Sequence, residues 1–376
     1  MAEHPGRILK KILAEKGLLQ SDLAFILGQR TAGLNQIIAE KRGVSADMSK
    51  ALGEALGLRP DYFANLQIAY EIAIADDPDP SVSLRASLLS KYPIRDMIRR
   101  GWIEDSDAQG LQMQLAQFFG LDSVEKIPYL SHAAKKSSYE EREIAPTQIA
   151  WLFRVKQIAK SMTCPKYSPD SLSRSLEQLR DLLAYPEEAR HIPRMLAECG
   201  VRFVIVETLP QAKIDGVCFW LDSNTPVIGM STRYDRIDNF FFVLRHEIEH
   251  VLRGHGKDED AIDAELEGQR AGTDSTLPEQ ERIANVAAAD FCIPAEKIES
   301  FIRRKHPFYY EKDVLAFAKL HNIHPGIVVG QMQHRLDRYN YLKKHQVRIR
   351  HFVLPGARAD GWGQTTTIAL GRMVKS

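Results

Sequence analysis

Cysteine is scarce in this chain. There are four in 376 residues, Cys164, Cys199, Cys218 and Cys292, and no two are spaced as C-x-x-C. That spacing points to neither a disulfide framework nor a cysteine-built zinc site. Long apolar runs are missing as well. No stretch reaches the roughly 18 residues of a membrane span, and the first residues lack the order of a secretory signal. Nor is there an excess of charge of one sign: Lys and Arg number 50 against 49 Asp and Glu, a net of +1. No global field therefore favours nucleic acid or membrane, and any DNA contact must come from a local patch. What remains, with 44% hydrophobic and 26% charged residues, reads as a soluble globular protein of two or three domains. The expected location is the cytoplasm, with no membrane partner.

Against that background one stretch stands out, residues 239–255, NFFFVLRHEIEHVLRGH. It contains H-E-x-x-H: His246, Glu247, Ile248, Glu249, His250. Residues four apart share a helix face, so two imidazoles can turn to one ion, with Glu247 beside them as general base. The apolar flanks, Phe241 to Leu244 and then Val251 and Leu252, predict a buried helix. A chance match would sit on a solvated helix with polar flanks. Glu249 is predicted to face away from the ion. Three protein ligands and an open position make a catalytic zinc centre. A second helix over residues 279–292, with a small face of Ala284, Ala287, Ala288 and Ala289, is placed to approach the first closely. Glu281 shares a stripe with Asn285 and Ala288 and is taken as the third ligand, with Glu279 next and Asp290 behind it. The expected ion is Zn2+, with Mn2+ as the alternative.

Residues 1–72 read as five short helices, over about 6–16, 20–27, 31–39, 46–56 and from Pro60 to near Gln67. Two short helices joined through Gly28 form a helix-turn-helix pattern. The run from His4-Pro5-Gly6 through Gly17, Gln20, Leu23-Ala24, Gly28, Ile37 and Lys41-Arg42-Gly43, closing with Ala55-Leu56-Gly57 and Asn65-Leu66-Gln67, resembles the HigA-type antitoxin branch of the XRE helix-turn-helix family. The resemblance implies that the helix from Thr31 enters the major groove of a double-stranded DNA operator. Gln29, Arg30, Thr31, Asn35 and Gln36 would be the exposed readers, with Gln20, Lys41 and Arg42 near phosphates. It also implies a homodimer. Leu19 stands where the family usually has a capping Ser, and Gly33 weakens the recognition helix by about 1 kcal/mol relative to Ala.

Residues 73–192 read as a helical linking region entered through the Pro-rich segment 76–80. Trp151 there is predicted to be core rather than part of a groove. Three β-branched runs follow, 201–207, 216–221 and 226–230, and then the metal helix. The expected fold class is therefore α+β and mostly helical: a five-helix DNA-binding domain, a helical middle, a small three-stranded zincin-like domain over 193–335 and a basic tail over 336–376.

The order GVCFWLD, PVIGMS, RHEIEH and ERIAN, with the tail His324-Pro325-Gly326-Ile327-Val328, resembles the ImmA/IrrE metallopeptidase family. That resemblance implies a site-specific peptidase whose usual targets are transcriptional repressors. It maps the ligands onto His246, His250 and Glu281 and the base onto Glu247. The expected partner is a repressor or a toxin–antitoxin protein. The competing reading is an antitoxin-like regulator without catalysis, whose peptidase fold only binds a partner or senses a ligand. The acidic loop over residues 257–276 reads as solvated, or else as a lid for a basic segment. Of the remaining histidines, His255, His321, His324 and His334, only His324 is singled out for attention. In the basic tail, Phe352-Val353-Leu354 suggests a short strand or a docked arm.

Overall fold

A computed structural model of the chain describes residues 2–121, 145–255, 257, 261–264 (as backbone) and 278–367. The chain divides into two compact units, Met1–Pro80 and Ser81–Ser376.

The first unit holds α1 (Pro5–Glu15), α2 (Gln20–Ile26), α3 (Thr31–Ile38), α4 (Ala46–Leu56) and α5 (Tyr62–Ile74). Its core is Leu9, Leu13, Leu23, Leu34, Ile37, Leu52, Leu56 and Phe63, all within 3% of full burial. Burying such a side chain contributes about 1.5–3 kcal/mol. The start of α1 is held by His4, whose Nδ1 accepts the Gly6 amide at 3.0 Å. Leu19 has no hydroxyl to cap α2, and only the reciprocal half of a capping box is made, Asp22 accepting the Leu19 amide at 2.8 Å. Ser45 caps α4 through the Met48 amide. The last helix runs on to Ile74, about two turns beyond the predicted end, because nothing in Ile68–Ile74 breaks a helix before Pro78. Gln67, buried on that helix, accepts the Val44 amide at 3.0 Å and so ties the loop after α3 to α5.

The second unit is built on one sheet. Its strands are β1 (Arg202–Val206), β2 (Ile214–Trp220), β3 (Pro226–Met230), β4 (Ala261–Ala264) and β5 (Arg358–Asp360). Their order is β4-β2-β3-β1-β5, with β1 parallel to β3 and β5, and β2 antiparallel to β3 and β4. The three predicted strands are there, and two short ones extend the sheet at its edges. Alternation along β1 sends Phe203 and Ile205 into one core and Val204 and Val206 into the other. Both faces are covered, which is why these strands read as unbroken apolar runs.

Helices α6 (Pro80–Lys91), α7 (Ile94–Arg99), α8 (Ala108–Phe119) and α9 (Pro146–Ser161) supply the second core. Residues 81–121 and 145–161 therefore pack within this unit and bring cover for one sheet face. Trp151 on α9 is core, with its Nε1 donating to the Val206 carbonyl at 2.8 Å. The first core lies under α10 (Pro169–Asp181), α11 (Ile192–Glu198), α12 (Ile237–Arg253), α13 (Glu279–Cys292), α14 (Ala295–Lys305), α15 (Glu311–Leu320) and α16 (Pro325–Leu336).

The basic tail does not form a strand at Phe352-Val353-Leu354. Phe352 and Val353 belong to a single turn, α17 (Arg350–Val353), that buries Val353 in the first core, and Leu354 opens a 3-10 turn, Leu354–Gly356. The strand comes later, at β5. It is held by Asp360, whose carboxylate accepts from Arg154 at 2.6 Å and from the Trp102 indole at 2.8 Å. Among the described residues no helix is long and apolar enough to cross a membrane.

Candidate metal centre and DNA-binding face

Helix α12 lies across the first face of the sheet, and its buried residues run nearly all round it, from Ile237 to Val251. It ends where Gly254 takes a left-handed conformation (φ 69°), which a side-chain-bearing residue adopts only under strain. His246 and Glu247 are fully buried, and His250 is 2% exposed.

The ring nitrogens of the two histidines converge, His246 Nε2 and His250 Nε2 lying 2.9 Å apart. Helix α13 brings a carboxylate to the same point. Glu281 Oε2 is 3.2 Å from His246 Nε2, and Oε1 is 3.5 Å from His250 Nε2. The small residues Ala284 and Ala288, both fully buried, let the two helices approach. One donor atom from each of the three residues lies within 4.8 Å of the others, a His-His-Glu set able to hold a metal ion. Glu279 and Asp290 are not part of this cluster. Burial works to raise the Glu281 carboxyl, but hydrogen bonds and charge from His246 and His250 outweigh it and hold the group well below the usual carboxylate range. Three acceptor-rich groups facing one point, with the carboxylate kept ionised, fit a divalent cation.

The neighbouring side chains divide into two sets. Glu249 turns away from the centre and is held by Arg245 at 2.7 Å and Arg253 at 2.6 Å. Burial opposes ionisation there too, and the two guanidinium groups overcome it and lower its pKa. Glu247 instead faces strand β2 at Gly216, where a Cβ would stand 2.2 Å from Glu247 Oε1. The absence of a side chain at Gly216 is what makes room for the carboxylate.

His255, not singled out from the sequence, lies against the cluster. Its Nδ1 is 3.0 Å from Nδ1 of His250, on the side of the ring away from the cluster. Burial, then the His250 and Arg253 charges, lower its pKa. The signal available in sequence was its place one residue past the Gly that ends α12. His324 plays a different part, since its Nδ1 accepts the Gly326 amide at 3.0 Å and caps α16. His4-Pro5-Gly6 and His324-Pro325-Gly326 thus make the same N-terminal cap. Of the acidic loop, Asp258, Glu259, Asp260, Glu265 and Glu267 lie outside the described residues, and Asp263 is described only as backbone in β4.

In the first unit, α3 turns Leu34 and Ile37 into the core. Gln29, Arg30, Thr31, Asn35 and Gln36 are exposed together on the other side, with Lys41 and Arg42 exposed beyond the helix and Gln20 half-buried at the start of α2. This exposed set offers amide, hydroxyl and guanidinium groups, the side-chain types that read base edges and phosphates.

Comparison with known proteins agrees with both units. The sequence pattern of the helix-turn-helix family matches residues 9–63, and that of the IrrE N-terminal-like domain matches residues 200–328. Virulence-associated protein I of Dichelobacter nodosus is 32% identical over 84 residues, which are 22% of this chain and 78% of that protein. Among solved structures, a putative antidote protein of a plasmid maintenance system from Nostoc punctiforme is 30% identical. The match covers 19% of this chain and 78% of that one, with a TM-score of 0.18. An addiction module antidote protein of a HigA family from Coxiella burnetii is 31% identical over 20% of this chain and 82% of that one, with a TM-score of 0.19.

Proposed function

Because the chain belongs to the XRE-type helix-turn-helix family at its N-terminus and carries an IrrE/ImmA-like peptidase domain in its larger unit, we propose that it is a DNA-binding regulator that cleaves a protein through a divalent-metal centre. The observation that carries the reading is the convergence of His246, His250 and Glu281 on one buried point, with Glu247 one residue from a ligand on the same helix. Three protein groups leave a position open for water and substrate, the arrangement of catalytic rather than structural zinc sites.

His246, His250 and Glu281 hold the ion, Zn2+ in the first place and Mn2+ as the alternative. A bound divalent ion polarises the scissile carbonyl and makes a water acidic near neutral pH. Glu247 takes a proton from the attacking water and delivers it to the leaving amine. A structural metal site has no use for such a base. The substrate is a repressor or a toxin–antitoxin partner protein, a reading supported by the antidote proteins that resemble the first unit. That unit acts on double-stranded DNA as a homodimer, with Gln29, Arg30, Thr31, Asn35 and Gln36 at base edges and Gln20, Lys41 and Arg42 at phosphates.

The test is elemental analysis of the purified chain beside a His246→Ala/His250→Ala double variant, followed by cleavage assays with Glu247→Gln. About one zinc per chain, lost in the double variant, together with hydrolysis abolished in Glu247→Gln while zinc is retained, is the expected result. An absence of metal from the unaltered chain would overturn the peptidase reading and leave a regulator whose peptidase fold serves only for binding.

A further inference from the structure

The two helices that carry the metal ligands also wall a cavity. It lies between α12, α13, α14 and α16 and has a volume of about 610 Å³. The size is that of a ligand pocket. Its apolar wall includes Phe242, Val286, Ile302 and Leu336. Gln331 on α16 belongs to the lining and accepts from Arg335; two further amide side chains, both buried, break the apolar wall, Asn239 on α12 and Asn285 on α13. They are 4% and 3% exposed, and each leaves one polar atom without a hydrogen-bond partner among the described residues: Asn239 Nδ2, a donor, and Asn285 Oδ1, an acceptor; Nε2 of His334, on the same lining, is a further unpartnered atom. Buried polar atoms in folded proteins are nearly always satisfied, so an unsatisfied pair lining one cavity points to a ligand that completes it.

We propose that this cavity receives a primary carboxamide side chain, glutamine or asparagine, of a bound peptide, at a subsite adjoining the metal centre. A carboxamide has one oxygen to accept from Asn239 and an N–H to give to Asn285, and its methylene stem suits the apolar wall. A charged side chain is disfavoured. The charges at the cavity already balance, with Asp290 and Glu299 against Arg303 and Arg335, while Asp238 is paired with Arg236 at 2.6 Å. Position makes the occupant part of a peptide. Asn285 lies one helical turn from Glu281, and the ring of Phe242 is 6.4 Å from that of His246, so cavity and metal centre are neighbours along the same two helices. The proposal rests on the peptidase reading, and the experiment separates the two.

The full-length, zinc-loaded Glu247→Gln chain is titrated with fluorescent capped hexapeptide pools in which one position is scanned through Gln, Asn, Glu, Leu and Met. Gln or Asn at one position is expected to bind at least about tenfold more tightly than Leu or Glu there, because a site built to hydrogen-bond rejects an analogue that cannot. Asn239→Leu and Asn285→Leu should each erase the preference with zinc content and Tm unchanged. If either fails to fold, Asn285→Asp keeps the acceptor and retains the preference, whereas Asn239→Asp removes the donor and loses it. Equal affinity for Gln and Leu pools overturns the proposal, as does a preference that survives loss of the Asn239 donor. Binding of N-acetylglutaminamide as tightly as the best pool also overturns it, since the cavity is then a small-molecule site. Selective binding without cleavage by the unaltered chain would sink the peptidase reading and leave the pocket standing. Cleavage without the preference would do the reverse.

Discussion

Gly216 on β2 and Glu247 on α12 occupy each other's space: a Cβ on the glycine would stand 2.2 Å from Glu247 Oε1 and 2.8 Å from Val243 Cγ1. Glu247 is fully buried and has no room to retreat. Gly216→Ala is therefore expected to displace Glu247, the proposed general base, while leaving the proposed ligands His246, His250 and Glu281 in place. A displacement of about 1 Å at a reacting group costs on the order of 10²-fold in rate. The check is steady-state cleavage beside zinc stoichiometry. Full activity in Gly216→Ala would show that Glu247 does not act where it lies here.

His255 contacts the outer nitrogen of His250 at 3.0 Å. Groups in that position fix the orientation of a ligand ring, and their removal typically costs about 10–100-fold in metal affinity. His255→Leu is expected to lose metal to a competing chelator at correspondingly lower concentration, with little change in the melting temperature of the metal-free protein. An unchanged chelator midpoint would assign His255 to packing alone.

The pair Arg154 and Asp360 is 6% and 1% exposed and bonded at 2.6 Å. Deleting the carboxylate leaves a buried guanidinium with part of its hydrogen bonding gone, which is typically destabilising by about 3–5 kcal/mol. Asp360→Ala should shift the urea midpoint of the second unit strongly and that of the first unit little. A shift within experimental error would show that solvent reaches Arg154 in the variant.

The cysteines differ in reactivity as the thiolate population differs. Burial pushes the Cys292 thiol up to about 12, and it is fully enclosed. Cys164 is also raised by burial but remains partly accessible. The thiolate is the nucleophile, so a thiol reagent at pH 8 should label Cys164 in the native protein and reach Cys199, Cys218 and Cys292 only after unfolding. Mass mapping of the labelled peptides decides it.

For the first unit, binding to an operator selected from random DNA should respond in two distinct ways. Asn35→Ala is expected to cost about 1–3 kcal/mol and to relax preference at one base pair. Lys41→Ala or Arg42→Ala is expected to weaken binding to all sequences alike and to flatten the salt dependence by about one unit of slope. Loss of sequence preference in Lys41→Ala would reverse these assignments.

The candidate metal centre was legible because its geometry is local. Two histidines four apart on one helix are brought together by helix geometry, and Glu281 came from a stripe containing Asn285 and Ala288. What escaped was whatever depends on distant partners. Residues 358–360 carry no strand pattern, yet they pair with β1 because Asp360 meets Arg154 and Trp102, about two hundred residues earlier and more. Gly216 reads as an ordinary strand glycine until Glu247 is placed against it. Phe352 and Val353 are β-formers by propensity, but burial of Val353 in the first core sets them in a helical turn. The helical character of the middle region was legible, while the role of its residues 81–121 and 145–161 as cover for a sheet face required the strands of 202–230 to be in place.

The reach of Asp360 back to Arg154 and Trp102 also sets a timetable for synthesis. The first unit closes its core with residues no later than Phe63, so it can fold while most of the chain is still on the ribosome. The second unit cannot complete its sheet until residue 360 has emerged. At about 5–20 residues per second, that interval is on the order of tens of seconds. Each nascent chain thus passes through a period in which its helix-turn-helix unit is finished and its peptidase-like unit is not, so the two units come into being in sequence.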